Sequence, residues 1–431
     1  MARLVIHKLG PVSDCAIHIK NFNIFTGPQS SGKSTVAKAV FFFKLVKNDL
    51  YAQLTSKVTE ADYVSSLETD FKKRLRSRFL QTFGTSWAMP HDMHLQYTYD
   101  SGCYIEVRLE DDRNQIQKNY VNFEFSSDLK EFLDKYRNYA DIPWDRERLK
   151  SLREEINQIF QDEFETVYIP AGRSMITLLT DQLLQISADE TIHSLDYCTR
   201  SYLTTILPIR TKLAHGLEDY QHNLKTTTQK KINEKLLSAL MRRIDDILNA
   251  KYSFEGGEEK LILPNHRYVK INFASSGQQE AVWVLNMIYC YLLERKKIFL
   301  IVEEPETHLY PDSQKYMAEA LGMFVTAGNQ AIVTTHSPYL LGEFNNLLFA
   351  GDLQNKLPIP LKKELHKMMD SREYVDPQST MAYYVRNGVL ENAMEDGLIK
   401  NELIDHVSDV INEEMDHLLE IYWKQEERPD A

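Results

Sequence analysis

The 431-residue sequence predicts an α/β fold: a sheet with buried parallel strands, extended by an antiparallel β subdomain and interrupted by a helical insertion. Three observations predict it. An apolar strand closing on Thr26 runs through Gly27-Pro28-Gln29-Ser30-Ser31-Gly32-Lys33-Ser34 into an apolar helix. A second apolar run, "IFLIVEEPE" at 298–306, ends in carboxylates. A third, "QAIVTTHSP" at 330–338, ends in a histidine. Strands buried on both faces of a parallel sheet read as such continuous apolar runs.

The other elements follow in order. "RLVIHKL" (3–9) and "CAIHIKNFNIFT" (15–26) alternate polar and apolar and read as strands. Lys33 to Val46 is apolar-rich and free of Gly and Pro, hence helical, and 50–83 reads as polar helix. The basic cluster "KKRLRSR" (72–78) on that helix is a solvated face or a nucleic-acid contact. "HDMH" (91–94) lacks the i, i+4 spacing of a helical metal site and reads as a surface turn. Three β-like runs at 94–100, 103–111 and 119–125 suggest the antiparallel subsheet, and 128–165 returns to helix. "TVYIPAG" (166–172) is a buried-looking strand stopping at Gly172. From Ile176 to Ala250 the pattern is helical, with Pro208 the main interruption, and 272–297 is a loop feeding a helix. After Leu357 the chain is mixed, then helical from about Gly397. The expected units are therefore 1–175, half of the main fold with its β subdomain; 176–270, the helical insertion; 271–350, the other half; and 351–431, a tail packed on it.

Composition narrows the class. With 43% hydrophobic and 26% charged residues the chain can bury a large core. Its net charge of −12 excludes a generic nucleic-acid binder. Cys15, Cys103, Cys198 and Cys290 are scattered, without zinc spacing, which fits a reduced cytoplasmic compartment. No apolar run approaches the roughly 20 residues of a membrane span, and the first residues lack a secretory pattern.

The loop from Gly27 to Ser34 points to nucleotide phosphate. Its glycines let backbone N–H groups turn inward, and the following helix start, from Thr35 onward, adds its positive dipole end. Lys33 is placed to reach the β- and γ-phosphates of ATP, and Ser34 to hold Mg²⁺. Glu303 and Glu304 end a central strand at the edge where such sheets bind ligands. Glu303 suits the Mg²⁺ shell and Glu304 the polarisation of an attacking water. His336, ending the next strand, is a candidate for the γ-phosphate or that water. Ser275-Ser276-Gly277-Gln278 opens a helix and forms a second anion site, unless Ser276 is a simple N-cap. Two such helix starts in one chain suggest a head-to-tail pair, in which the second site of one copy closes on the ATP of the other.

The order of P-loop, S-S-G-Q-Q, E-E-P-E-T-H-L and T-T-H-S-P resembles the ABC-type ATPases of the SMC, RecF and OLD group. The resemblance implies an ABC-type P-loop ATPase head. Ser275 to Gln279 would be its signature, and "EPETHLYP" its Walker B end running into a D-loop, with Thr307, His308 and Leu309 at the dimer interface. His336 would be the switch histidine. "VYIPAGRS" falls where the group places its Q-loop but holds no glutamine, leaving Arg173 as a candidate nucleotide contact. OLD nucleases continue into a Toprim domain, whose metal chemistry needs a D-x-D; none occurs here, and fewer than 100 residues follow His336. The chain is thus similar to stand-alone ATPase subunits of anti-phage systems, of the PARIS type first and the Septu type second. That likeness implies a second copy, a separate effector such as a nuclease, and a phage protein or DNA as trigger, without a membrane. The alternative is a DNA clamp of RecF or SMC type, and a third reading is a scaffold that binds nucleotide without turnover.

Overall fold

The computed structural model describes residues 1–56, 66–110, 119–139, 142–175, 195–227, 232–404, 410 and 412–419. β1 (Ala2–Leu9) and β2 (Val12–Ile19) form an antiparallel hairpin. The run 15–26, expected as one strand, breaks after Ile19. The Asn23 side chain accepts the Lys20 N–H at 2.9 Å and donates to the Lys20 carbonyl at 2.7 Å, fixing a turn. The chain re-emerges as β3 (Phe22–Thr26), buried throughout, and passes through the glycine loop into α1 (Lys33–Thr55). α2 (Leu67–Phe83) then lays Phe71, Leu75 and Phe79 into the core. Beside it stand β4 (His94–Thr98), β5 (Tyr104–Glu110) and β6 (Tyr120–Phe125). α3 (Ser127–Lys135), α4 (Arg146–Phe160) and β7 (Glu165–Ile169) complete this half. Lys44 and Lys47 of α1 both reach the buried carboxylate of Asp162, at 3.2 Å each, which anchors α1 to the α4–β7 turn.

The expected helical insertion lies partly outside the described residues. Its described part opens with α5 (Tyr197–Lys212), which is capped by Asp196 and continues through Pro208 instead of breaking there. α6 (Gly216–Thr227) and α7 (Glu234–Leu248) follow. Residues 251–270 correct the expectation. They form a three-stranded antiparallel sheet of β8 (Lys251–Glu255), β9 (Glu258–Ile262) and β10 (Tyr268–Lys270). Gly256 and Gly257 make the first turn with φ of 61° and 80°, a backbone that glycine adopts without strain.

The second half runs α8 (Ser276–Glu294), β11 (Ile298–Glu303), α9 (Pro311–Thr326), β12 (Gln330–Thr335), α10 (Pro338–Lys356) and α11 (Ile359–Met368). It ends in β13 (Thr380–Arg386), β14 (Val389–Asn392) and the short pair β15 (Met394–Glu395) and β16 (Leu398–Ile399). One eleven-stranded sheet joins the halves in the order β6-β5-β4-β1-β2-β14-β13-β3-β12-β11-β7. β13, β3, β12, β11 and β7 are parallel. β4 pairs with β1, so the antiparallel strands extend the main sheet and do not stand apart from it. The segment 351–431, expected as a mixed and helical tail packed on the main fold, supplies β13 and β14 to the sheet itself, inserted between β3 and β2. Residues alternate between the two faces of the sheet. Phe22 and Ile24 enter one core and Phe25 the other; Leu300 and Val302 oppose Phe299 and Ile301.

The basic helix is occupied within the chain. Lys72 pairs with Glu68 and Lys73 with Asp70. Arg74 and Arg78 both pair with Asp49. Arg76 donates to the Val121 carbonyl at 2.7 Å and lies over the Tyr120 ring. In the "HDMH" turn His94 bonds Glu106 and His91 bonds Asn119. Among the described residues no group of three or more His, Cys, Asp and Glu side chains is placed to hold a metal ion, and no helix is long and apolar enough to cross a membrane.

Candidate active site

β3, β12 and β11 are adjacent and parallel, with Thr26 opposite Thr335 and Thr334 opposite Glu303. Their carboxyl ends therefore deliver the loop 27–34, the acids 303–306 and His336 to one edge of the sheet. Open α/β sheets bind ligands at that edge.

The loop is shaped by its neighbours. Gly27 has φ 140°, and a Cβ there would lie 2.2 Å from the Val385 carbonyl oxygen of β13. Gly32 has φ 114°, and a Cβ there would lie 2.8 Å from Val12. Ser30 also takes a positive φ, so successive N–H groups turn toward one concavity. Lys33 is buried and donates to the carbonyls of Gly27 and Pro28, at 2.7 Å each. Burial lowers its pKa, while the charges of Glu304, Glu306 and Glu303 pull it back up. That coupling puts the ammonium in the field of the strand-end acids. The Ser31 hydroxyl is buried without a hydrogen-bond partner. Ser34 is exposed and Thr35 half-buried, with the Thr35 hydroxyl beside Gly10.

Glu303 is buried. One carboxylate oxygen accepts the Ala171 N–H at 3.2 Å, and the other has no hydrogen-bond partner. Burial first, and then the charge of Glu303, pushes the neighbouring Tyr168 hydroxyl well above its usual range. Glu304 sits in the left-handed region at φ 43°, with its N–H bonded to the Thr334 carbonyl at 2.8 Å. Such strain in a non-glycine residue is common where a side chain must be aimed. Its carboxylate stays accessible, 3.7 Å from His336 Nδ1. Glu306 accepts the Thr335 hydroxyl at 2.6 Å and the His336 N–H at 3.1 Å, and so fixes the base of the histidine.

Arg173 corrects the sequence expectation. It is fully buried, and its guanidinium donates to the carbonyls of Glu303 at 2.8 Å, Glu304 at 3.2 Å and Glu280 at 2.8 Å. It also pairs with the Glu280 carboxylate at 3.3 Å. No part of it reaches the surface where a nucleotide would sit; it holds the strand end that presents the acids. At the head of α8 the cap is Ser275, which with Gln278 forms a reciprocal capping box. Gln278 also donates to the Leu248 carbonyl at 2.7 Å, so its side chain is committed to the fold. Ser276 is exposed and free of the capping role. Gly277 fits against the turn at 307–309, where a Cβ would lie 2.6 Å from the His308 carbonyl oxygen.

A family model described as an AAA ATPase domain matches residues 2–341. The chain belongs to that family. Among curated proteins none matches it. Among solved structures it is similar to an SMC head domain from Thermotoga maritima, at 11% identity and a TM-score of 0.38, covering 91% of this chain and 98% of that one. It is similar also to an Smc head bound to the C-winged helix domain of ScpA, at 13% identity and a TM-score of 0.41, covering 90% and 95%. A third similar structure is an Smc head with an extended coiled coil, bound to the C-terminal domain of ScpA derived from Pyrococcus furiosus. There the identity is 13% and the TM-score 0.37, covering 95% and 100%.

Sequence reasoning passed over Glu306, Thr335 and Gln314, which orient His336 and the turn after it. Gln314 accepts the Ser337 hydroxyl at 2.5 Å. The acid two residues beyond Glu304 was visible in "EEPE"; its partner Thr335 was not, because that pairing depends on β11 lying against β12.

Proposed function

We propose that this AAA-family chain hydrolyses ATP with Mg²⁺ at a site completed by a second copy, and that the cycle holds or releases a separate effector, a nuclease, in defence against phage. The observation that carries the ATPase reading is the convergence of the glycine loop, Glu303–Glu304 and the Glu306-bound His336 on one sheet edge. The residues fit the ligand. A buried serine hydroxyl and a buried carboxylate oxygen lack protein partners, and adding a Cβ would close the glycine cradle. Ser34 and Glu303 would hold Mg²⁺, which when bound neutralises charge on the β- and γ-phosphate oxygens. Lys33 would give up its two carbonyl bonds for the same oxygens. Glu304, accessible and strained toward the edge, would accept the proton of the water that attacks the γ-phosphorus as ADP departs. His336, 3.7 Å from Glu304, would hold that water or the leaving phosphate.

A separate effector fits a sequence in which the D-x-D of Toprim metal chemistry does not occur. The basic helix at 72–78 would add weight to the DNA-clamp reading, but its five cations are engaged within the chain. Glu304→Gln keeps the shape and removes the base. We expect ATP binding by calorimetry to persist while hydrolysis falls by about 10²-fold or more. Unchanged hydrolysis in Glu304→Gln, with loss in Glu303→Gln alone, would reverse the two roles. An ATP-dependent pull-down of a neighbouring gene product, lost in Lys33→Ala, tests the effector half; equal capture by both chains would reduce the protein to a passive scaffold.

A further inference from the structure

At the opposite end of the parallel strands, beside the starts of β11 and β12, the surface opens into a groove of about 1000 Å³. Its floor is apolar, built from Leu236, Leu292 and Met323. Its walls are cationic. Lys235 and Arg372 come from adjoining segments, Arg372 donating to the Lys235 carbonyl, and Arg295, Lys296 and Lys297 form the turn between α8 and β11. The one acid in the lining, Glu234, is paired with Lys225. From outside the lining, Glu165 and Glu294 pair with Lys296, Glu163 with Lys297 and Asp370 with Arg372, so three of the five wall cations already carry an acid partner. An apolar floor between positive walls suits an amphipathic, acidic helix.

The chain carries such a helix. Residues 412–419 are helical, and Met415, Leu418 and Leu419 are 54%, 61% and 45% exposed. Their i, i+3, i+4 spacing puts them on one face. At about 100° per residue, Glu414 and Asp416 flank that face on its two sides, with Glu413 behind. Charge and pattern complement the groove: apolar strip to apolar floor, acids to basic walls. Within one copy the two do not meet, because the three apolar side chains stay exposed and none lines the groove.

We propose that the helix at 412–419 of one copy seats in this groove of a second copy. The contact lies away from the nucleotide edge and does not rest on the function proposed above. It would link copies without nucleotide, in addition to any pairing across ATP. The test is sedimentation velocity of the full chain, free of nucleotide and Mg²⁺, over a wide concentration range. Wild type should self-associate. Glu413→Lys/Glu414→Lys/Asp416→Lys should weaken association about tenfold, as should Lys235→Glu/Lys296→Glu/Lys297→Glu, since each set reverses a few rim pairs. Both sets in one chain restore complementarity and should restore association. Circular dichroism melts check folding; if the groove variant fails to fold, Leu418→Glu, at an exposed position, must weaken association as the helix variant does. A wild type monomeric throughout, indicating that the groove takes a different partner, would overturn the proposal. So would association unaffected by either set, or no recovery when they are combined.

Discussion

Arg173 and Glu280 are 107 positions apart, yet one guanidinium joins the head of α8 to the carbonyls of Glu303 and Glu304. Both side chains are nearly inaccessible, so neither charge has water to fall back on. Removing one partner of a buried ion pair leaves the other uncompensated, which costs about 3–5 kcal/mol. Arg173→Ala should therefore lower the denaturant midpoint by a corresponding amount, and Arg173→Lys should recover little, since one ammonium cannot serve the four carbonyls of Pro170, Glu280, Glu303 and Glu304 from a planar fork. Local chemistry explains which residues were legible. Gly27, Lys33, Ser34, Glu303, Glu304 and His336 announce themselves through a loop pattern or a strand end. Arg173 sits in an equally suggestive place, but its role depends on Glu280, and no spacing rule connects the two.

The elements divide in the same way. β11 and β12 are legible because five or six consecutive buried residues leave no other reading. The hairpin of β8 and β9 lies just past the helical pattern that ends at Ala250 and was counted with the helical insertion, although Gly256-Gly257 between short β-prone runs is a turn signal. For β13, "MAYYV" has strand character, but its partner β3 lies some 350 residues earlier, and pairing is a tertiary fact. That insertion matters to the site, because the Val385 carbonyl of β13 is what Gly27 must clear. Gly27→Ala has to push the loop off β13 at a φ that side chains rarely adopt. We expect loss of ATP binding by calorimetry together with a lower melting temperature; binding at wild-type affinity would show that the loop can move. A second inter-element junction is electrostatic. Arg243 of α7 meets Glu319 of α9 at 2.5 Å and Glu373 at 2.9 Å, with Glu343 of α10 and Lys315 also acting on the cluster. Burial, then the charge of Glu373, pushes Glu319 up to about 7 from an ordinary 4.5. A carboxyl raised in the folded state binds more protons there than when unfolded. Its contribution is intact below about 4.5 and is lost as pH climbs through about 7. Glu319→Gln should flatten that decline, so its melting temperature relative to wild type should rise between about pH 5 and about pH 8. A constant difference across that range would show that Glu319 does not titrate there.

At the scale of the whole molecule, two features point outward from one copy. Ser276 is exposed at the head of α8, and Phe273 and Tyr310 stand 80% and 73% exposed near it in sequence and beyond the acids of β11. The head of α8 is committed elsewhere within its own copy: Gln278 bonds Leu248, and Gly277 packs on His308. Ser276 alone stays exposed without a capping role, and the function proposed above has it meet a second copy's nucleotide. The most direct measurement is steady-state ATP hydrolysis by a mixture of Lys33→Ala and Ser276→Arg chains, each inactive alone. In a mixed pair, one composite site joins an intact phosphate loop to an intact Ser276. The account predicts that hydrolysis returns on mixing. Silence from the mixture, with mixed pairs shown to form, would contradict it.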